Sequence, residues 1–326
     1  MKIKAGIIGG TGYVAGELLR ILILHPNVNI DFVYSSSAAG KNINVIHQDL
    51  FFEKDLKFSN SINENSDVVF LSLGHGNSSK FLNKYNFASH TKIIDLSQDF
   101  RLKNHTSSHK NTFIYGLTAI NSEKIKDAAN IANPGCFATA IELALLPLAK
   151  KNLLNKPIHI HGVTGSTGAG KNLSETSHFS WRNNNISVYK PFEHQHIAEI
   201  KETLQAFQPD MNNEINFIPL RGNFSRGIII TAYMDCDIDE KTLNDIYVQF
   251  YKSIPFIEIS KTTIHLKQVV NTNYALIHTE KNQNKAFIVV VIDNLLKGAA
   301  GQAVENMNLM FGLDHEAGLN FKASYF

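Results

Sequence analysis

Ile3-Lys4-Ala5-Gly6-Ile7-Ile8-Gly9-Gly10-Thr11-Gly12-Tyr13-Val14-Ala15-Gly16 is the stretch that decides the fold. A short apolar strand over residues 3–9 runs into a glycine turn, and helical apolar spacing follows over residues 16–24. Glycines at a strand-to-helix turn let the backbone approach a pyrophosphate, which then sits on the unpaired N–H groups of the helix N-terminus. Gly9, Gly12 and Gly16 form a variant of the dinucleotide-binding pattern. Three glycines alone say little; the same three between a first strand and a helix carry weight. A turn that uses glycine only for packing is the competing reading.

Further along, strand patterns over residues 30–34, 67–73, 92–96 and 130–132 alternate with helical ones. That alternation predicts an α/β half with a parallel, doubly wound sheet. The second half reads differently. Strands are expected over 158–163, 215–219, 227–234, 263–267, 275–279 and 286–292, several without an intervening helix. This points to an antiparallel or mixed sheet in an α+β domain. Helical spacing returns over 298–310, and the boundary between the halves is expected near 133–136.

The second strand ends in Val33-Tyr34-Ser35-Ser36-Ser37-Ala38-Ala39-Gly40-Lys41. A site for NAD usually has Asp or Glu here to hold the ribose 2′-OH. Three serines and a lysine instead suit a 2′-phosphate, which favours NADP. A solvated turn is the plainer alternative, since serine also favours turns.

At 326 residues the chain suggests two domains. Its 44% hydrophobic and 18% charged content describe an ordinary globular protein. Lys and Arg number 31 against 29 Asp and Glu, a net charge of +2, which leaves no electrostatic footprint for nucleic acid. The apolar runs are too short to span a membrane, and no signal peptide is expected. The 2 cysteines, Cys136 and Cys236, form neither a disulfide framework nor a zinc spacing. A reducing, cytoplasmic setting fits.

Cys136 follows Ala132-Asn133-Pro134-Gly135 and precedes an apolar helical run over 138–148. A sulfur at a helix N-terminus meets unpaired N–H groups and the positive end of the dipole. Both favour the thiolate, which is the nucleophile, and the same N–H groups can hold an oxyanion. A small cysteine that merely packs is the competing reading. Cys236, between Asp235 and Asp237, is poorly placed for a thiolate.

In Phe192-Glu193-His194-Gln195-His196-Ile197-Ala198-Glu199, a helix would put His196 and Glu199 on one face. A carboxylate beside an imidazole suits a general base. No third ligand makes this a metal site. Gly165-Ser166-Thr167-Gly168-Ala169-Gly170-Lys171 nearly matches a P-loop, but Asn172 replaces the magnesium-binding hydroxyl. A loop offering backbone N–H groups to a phosphate-bearing substrate remains open. Lys190, Arg221 and Arg226 could bind carboxylate or phosphate, or simply face solvent.

Taken in order, these motifs resemble the N-acetyl-γ-glutamyl-phosphate reductase family of arginine biosynthesis, over essentially the whole chain. The other marks are Asp95-Leu96-Ser97-Gln98-Asp99-Phe100-Arg101, Tyr115-Gly116-Leu117, Arg221-Gly222, Arg226-Gly227 and Asp293-Asn294-Leu295-Leu296-Lys297-Gly298-Ala299-Ala300-Gly301-Gln302. The resemblance implies a Rossmann NADP-binding domain over 1–135, completed by the C-terminal helix 297–326, and a catalytic and dimerisation α+β domain over 136–296. It implies Cys136 as nucleophile and His196 as acid/base, with Glu199 and His194 beside it. On this basis cofactor-binding residues are expected at Gly9, Thr11, Gly12, Tyr13, Ser35, Ser36, Lys41, Gly168, Asn294, Lys297 and Gly298. Substrate-binding residues are expected at Asn133, Ser166, Tyr189, Arg221 and Arg226.

The implied reaction reduces an acyl phosphate with NADPH through a Cys136 thioester, releasing phosphate, in a homodimer or homotetramer and without a metal. The family often has Arg where this chain has Gln195, and Pro-Glu where it has Thr118-Ala119. An N-succinyl substrate, an aspartate-semialdehyde dehydrogenase and an NADP-sensing protein without turnover are the alternatives.

Overall fold

Runs of Ile, Val and Phe without polar alternation must be buried on both faces, as in a parallel sheet covered by helices. A computed structural model describes residues 2–106 and 112–326. Its first-half strands are β1 (Ile3–Ile8), β2 (Val28–Tyr34), β3 (Phe58–Ser59), β4 (Val68–Leu71), β5 (Lys92–Asp95), β6 (Ile114–Tyr115) and β7 (Asn130–Ala132). All pair in parallel, in the order β3-β2-β1-β4-β5-β7-β6. The chain winds outward from β1 in both directions, which makes the ends of β1 and β4 the switch point of a doubly wound sheet. Helices α1 (Tyr13–Leu22), α2 (Ser78–Lys84), α3 (Lys103–Thr106) and α4 (Thr118–Lys126) belong to the connections. The face of α1 that carries Ala15, Leu18, Leu19, Ile21 and Leu22 is buried.

The second half builds a mixed sheet from β8 (Ile158–Thr164), β9 (Ser187–Val188), β10 (Ile215–Arg221), β11 (Ile228–Asp235), β12 (Ile257–Ser260), β13 (Ala275–Asn282) and β14 (Lys285–Ile292). Its order is β12-β13-β14-β11-β8-β10-β9. The β8–β10 and β12–β13 pairs are parallel, and the rest are antiparallel. Burial alternates along β11, as expected for a sheet with one covered face. The helices here are α5 (Cys136–Lys150), α6 (Phe179–Arg182), α7 (His196–Phe207) and α8 (Glu240–Tyr251). Helix α5 packs against β11, β14, α7 and α8. It is buried from Phe137 to Ala149, as its apolar composition all round requires.

The strand expected over 263–267 does not form. Leu266–Gln268 is a 3-10 turn, and the edge strand is Ile257–Ser260. His265 N–H donates to Gln268 Oε1 at 2.7 Å, a local bond that closes the turn against extension.

The chain divides into two compact units, Met1–Gly135 with Ala299–Asn320, and Cys136–Gly298 with Phe321–Phe326. In the first unit the final helix, Gly301–Met310, packs on α1, α4 and β5. Its polar residues Gln302, Glu305, Asn306 and Asn308 are all buried, a costly arrangement unless their groups are bonded. Asn306 Nδ2 donates to Gly116 O at 2.9 Å and to Asn133 Oδ1 at 3.0 Å. The tail Phe321–Phe326 lies in the second unit, where Ser324 N–H donates to Val270 O at 3.1 Å.

Candidate active site

The glycine turn in the first unit has the shape that its residues predict. Gly9 takes φ +83°, and a side chain there would put its first carbon 2.5 Å from Ser72 O. Only glycine is comfortable in that conformation. Gly12 caps α1, and nothing lies within 4 Å of where its side chain would begin. That open space over the helix N-terminus, with its unpaired N–H groups, fits a pyrophosphate. Thr11 is half-buried beside it and Tyr13 is exposed. After β2, Ser36 and Lys41 are exposed, whereas Ser35 is buried with its hydroxyl 3.4 Å from that of Ser37.

In the second unit, Cys136 is the first residue of α5, half-buried, with no acidic residue in the first helical turn. The next ring, Phe137, meets His194 edge-on at 5.5 Å. His194 lies against His196 with ring centroids 4.5 Å apart, and Tyr189 and Phe217 close the group at 5.8 and 5.4 Å. Helix α7 begins at His196, so His194 lies just outside it. His194 Nδ1 accepts the His196 backbone N–H at 3.2 Å, which leaves the ring proton on Nε2. The i,i+3 spacing brings His196 Nε2 to 3.8 Å from Glu199 Oε1, with both side chains buried. The Arg221 guanidinium lies 4.7 Å over the Tyr189 ring. Burial first, and a negative charge on Cys136 second, push the Tyr189 hydroxyl above its ordinary range. Cys136, Tyr189 and Arg221 thus share one electrostatic environment.

His194 is pushed down to about 4, by burial first and the Lys190 charge second. A histidine with a lowered folded value binds its proton more readily when unfolded. Its stabilisation is therefore full above about pH 6.5 and is lost as the pH falls towards 4. Denaturant unfolding of wild type is expected to lose about 2 kcal/mol more between pH 7 and pH 5 than His194→Gln does. Equal losses in the two proteins would contradict the assignment.

Several of the other expected residues have their polar groups engaged within the protein. The N–H groups of Gly165, Ser166, Thr167, Gly168 and Gly170 all donate to backbone carbonyls of residues 165, 167, 224, 225 and 227. At those positions the backbone N–H groups are engaged within the protein, so a ligand at Ser166 or Gly168 would meet side chain or bare backbone rather than open N–H groups. Asn133 is buried, with Oδ1 accepting from Asn306 and Nδ2 donating to Ala299 O at 3.1 Å. Its amide is thus engaged within the first unit. Arg226 is paired with Asp293, and Lys297 is buried with its ammonium 5.7 Å over the Phe256 ring. Asn294 Oδ1 accepts the Gly227 N–H at 2.6 Å, while its Nδ2 donates to Thr167 Oγ1 at 3.0 Å. Gly298 lies against Cys136. Asp293, Phe137 and Phe217 also belong to the site, though no local motif singles out their roles. An acidic residue ending an apolar strand was the one visible signal, at Asp293.

Among the described residues no helix is long and apolar enough to cross a membrane. Comparison with known proteins follows the two halves of the chain. Residues 4–128 match the model of the semialdehyde dehydrogenase NAD binding domain, and residues 136–294 that of the semialdehyde dehydrogenase dimerisation domain. Two relatives named N-acetyl-gamma-glutamyl-phosphate reductase, from Christiangramia forsetii and Flavobacterium johnsoniae, are 56% and 57% identical. Both alignments cover 99% of this chain and 100% of the relative. Among solved structures, aspartate semialdehyde dehydrogenase II from Vibrio cholerae superposes with a TM-score of 0.75 at 16% identity, over 96% of this chain and 99% of that one. Aspartate semialdehyde dehydrogenase with NADP from Candida albicans gives 0.68 at 14%, over 98% and 99%. At such identities these two likenesses speak for the fold alone.

Proposed function

This chain belongs to the N-acetyl-γ-glutamyl-phosphate reductase family of the semialdehyde dehydrogenases, and on that premise we propose its reaction and the residues that perform it. The enzyme reduces N-acetyl-γ-glutamyl phosphate to N-acetyl-glutamate 5-semialdehyde and releases phosphate, a step in arginine biosynthesis. The observation that supports these residue roles is the Cys136 thiol on the first residue of a buried helix, linked through Phe137 and His194 to the His196–Glu199 pair.

Cys136, as thiolate, attacks the γ-carbonyl; the acyl carbon–oxygen bond to phosphate breaks and a thioester forms. Covalent capture divides a hard step into two easier ones. The N–H groups at the start of α5 hold the oxyanion that forms on the way. His196, as imidazolium beside Glu199, gives its proton to the departing phosphate. When bound, the reduced nicotinamide cofactor supplies the hydride that takes the thioester to the aldehyde level. The tetrahedral oxyanion on Cys136 then collapses, releasing aldehyde and returning the thiolate. A solvent proton restores His196, so each turnover consumes one proton, as the reduction requires. Arg221 and Tyr189 are proposed to bind the substrate's charged groups.

Gly9, Thr11, Gly12 and Tyr13 would hold the pyrophosphate. Ser36 and Lys41, exposed after β2 with no acidic residue between Val33 and Lys41, would take a 2′-phosphate; NADPH is the form proposed. The kcat/KM for NADPH is expected to exceed that for NADH, and Lys41→Ala to narrow the gap; a preference for NADH would contradict this. The match to a dimerisation domain supports a homodimer or homotetramer, and two free cysteines support a cytoplasmic setting.

The reverse reaction tests the whole reading. Aldehyde oxidation with NADP should require phosphate and proceed faster with N-acetyl- than with N-succinyl-glutamate semialdehyde. Phosphate-independent oxidation would refute the acyl-phosphate chemistry, and the opposite substrate order would reassign the acyl group.

A further inference from the structure

We propose that Asp293 and Arg226 are positioning residues for Cys136: their ion pair fixes the turn after β14 that leads into the π-helical segment Leu296–Ala300, whose Gly298 walls the nucleophile. The proposal rests on the reading of Cys136 as nucleophile.

Asp293 is fully buried one residue past β14. A buried carboxylate is costly unless charge and hydrogen bonds compensate it. Arg226 supplies both, with Nε 3.0 Å from Oδ2 and Nη2 3.2 Å from Oδ1, a two-pronged geometry that a lysine cannot reproduce. Three backbone N–H groups complete the site, from Asn271 at 2.7 Å, Leu295 at 2.8 Å and Leu296 at 3.1 Å. One side chain thus ties the start of β11, the turn before β13 and the turn after β14.

That last turn leads directly to the nucleophile. The Gly298 N–H donates to Asp293 O at 2.9 Å, so the backbone of residue 298 is tied to the same residue. A side chain at Gly298 would put its first carbon 2.8 Å from Cys136 Cβ and 3.2 Å from Cys136 Cα. Bare backbone therefore closes one side of Cys136, and its place is set from Asp293. Asn294, bonded to Gly227 and Thr167, braces the same turn.

The test measures kcat, KM and the pH profile of Cys136 alkylation by iodoacetamide, located by mass spectrometry, with melting temperature alongside. The enzymes are wild type, Asp293→Asn, Arg226→Lys, Gly298→Ala and the double variant Asp293→Asn/Gly298→Ala. Displacing a reacting group by about 1 Å can cost about 100-fold in rate. Asp293→Asn is accordingly expected to lower kcat by roughly 10–100-fold, with KM held within about twofold and the alkylation profile shifted. Arg226→Lys keeps the charge, loses the fork, and should fall between. Gly298→Ala should cost roughly tenfold in alkylation rate alone and under about twofold once Asp293 is Asn, because the wall has already moved. A wild-type alkylation profile in both Asp293→Asn and Arg226→Lys would overturn the proposal, as would additive costs in the double variant. If Asp293→Asn does not fold, Arg226→Lys and Gly298→Ala decide by the same readouts. Turnover surviving in Cys136→Ser would instead defeat the nucleophile reading, whatever the alkylation profiles show.

Discussion

Cys136→Ser is expected to lose turnover by on the order of 10⁴-fold or more while keeping its fold and its cofactor binding. The substitution exchanges one atom at the first position of α5, where a hydroxyl packs as a thiol does. Chemistry is what changes. A serine hydroxyl stays protonated at neutral pH, and the helix N-terminus that favours a thiolate cannot ionise it. The oxyanion-binding N–H groups remain in place but have no attacking atom to serve. Wild type given acyl phosphate without cofactor should accumulate an acyl adduct on Cys136, visible by mass spectrometry of peptides. Cys236 is the internal control, being buried and next to acidic residues. An adduct on Cys236, or substantial turnover by Cys136→Ser, would reassign the nucleophile.

His196→Asn should lower kcat by about 10²–10⁴-fold, the usual worth of a positioned proton-transfer group. Asparagine can still start α7 and fill much of the space but cannot carry the proton. Glu199→Gln should cost less, since the carboxylate at 3.8 Å orients and stabilises the imidazolium without moving the proton itself. One limb of the wild-type pH–rate profile should disappear in His196→Asn. His194 separates the two ring roles. It is outside the helix, neutral over the working range and engaged at Nδ1, so His194→Asn should affect rate through packing and leave that limb in place. A near-normal kcat in His196→Asn, with the limb retained, would transfer the role to His194.

Much of this site could be read from local pattern, because local physics makes it. The glycine turn follows from strand-to-helix geometry, the Cys136 thiol from an apolar helix starting at that residue, and the His196–Glu199 pair from i,i+3 spacing. The strand expected over 263–267 shows the limit. Its apolar and polar residues alternate, yet Gln268 turns back on His265 and the segment curls. Alternation describes which faces could be buried; it does not say which backbone bond wins.

The two-part α/β plan, the glycine turn at Gly9–Gly12, the cysteine at a helix start and the imidazole–carboxylate pair were legible in the sequence, all set within a few residues of chain. Tertiary structure decided what the charged and amide side chains do. Arg226, free in sequence to meet a ligand, is taken up by Asp293, 67 residues away, and the Asn133 amide by Asn306, 173 residues away. The N–H groups of Gly165, Ser166, Thr167, Gly168 and Gly170 are taken up by carbonyls of residues 224, 225 and 227 as well as by the loop's own. Buried polar groups must find partners, and those partners come from whatever the fold brings near. Periodicity encodes which face a residue occupies, whereas the identity of its partner exists only once distant segments have packed.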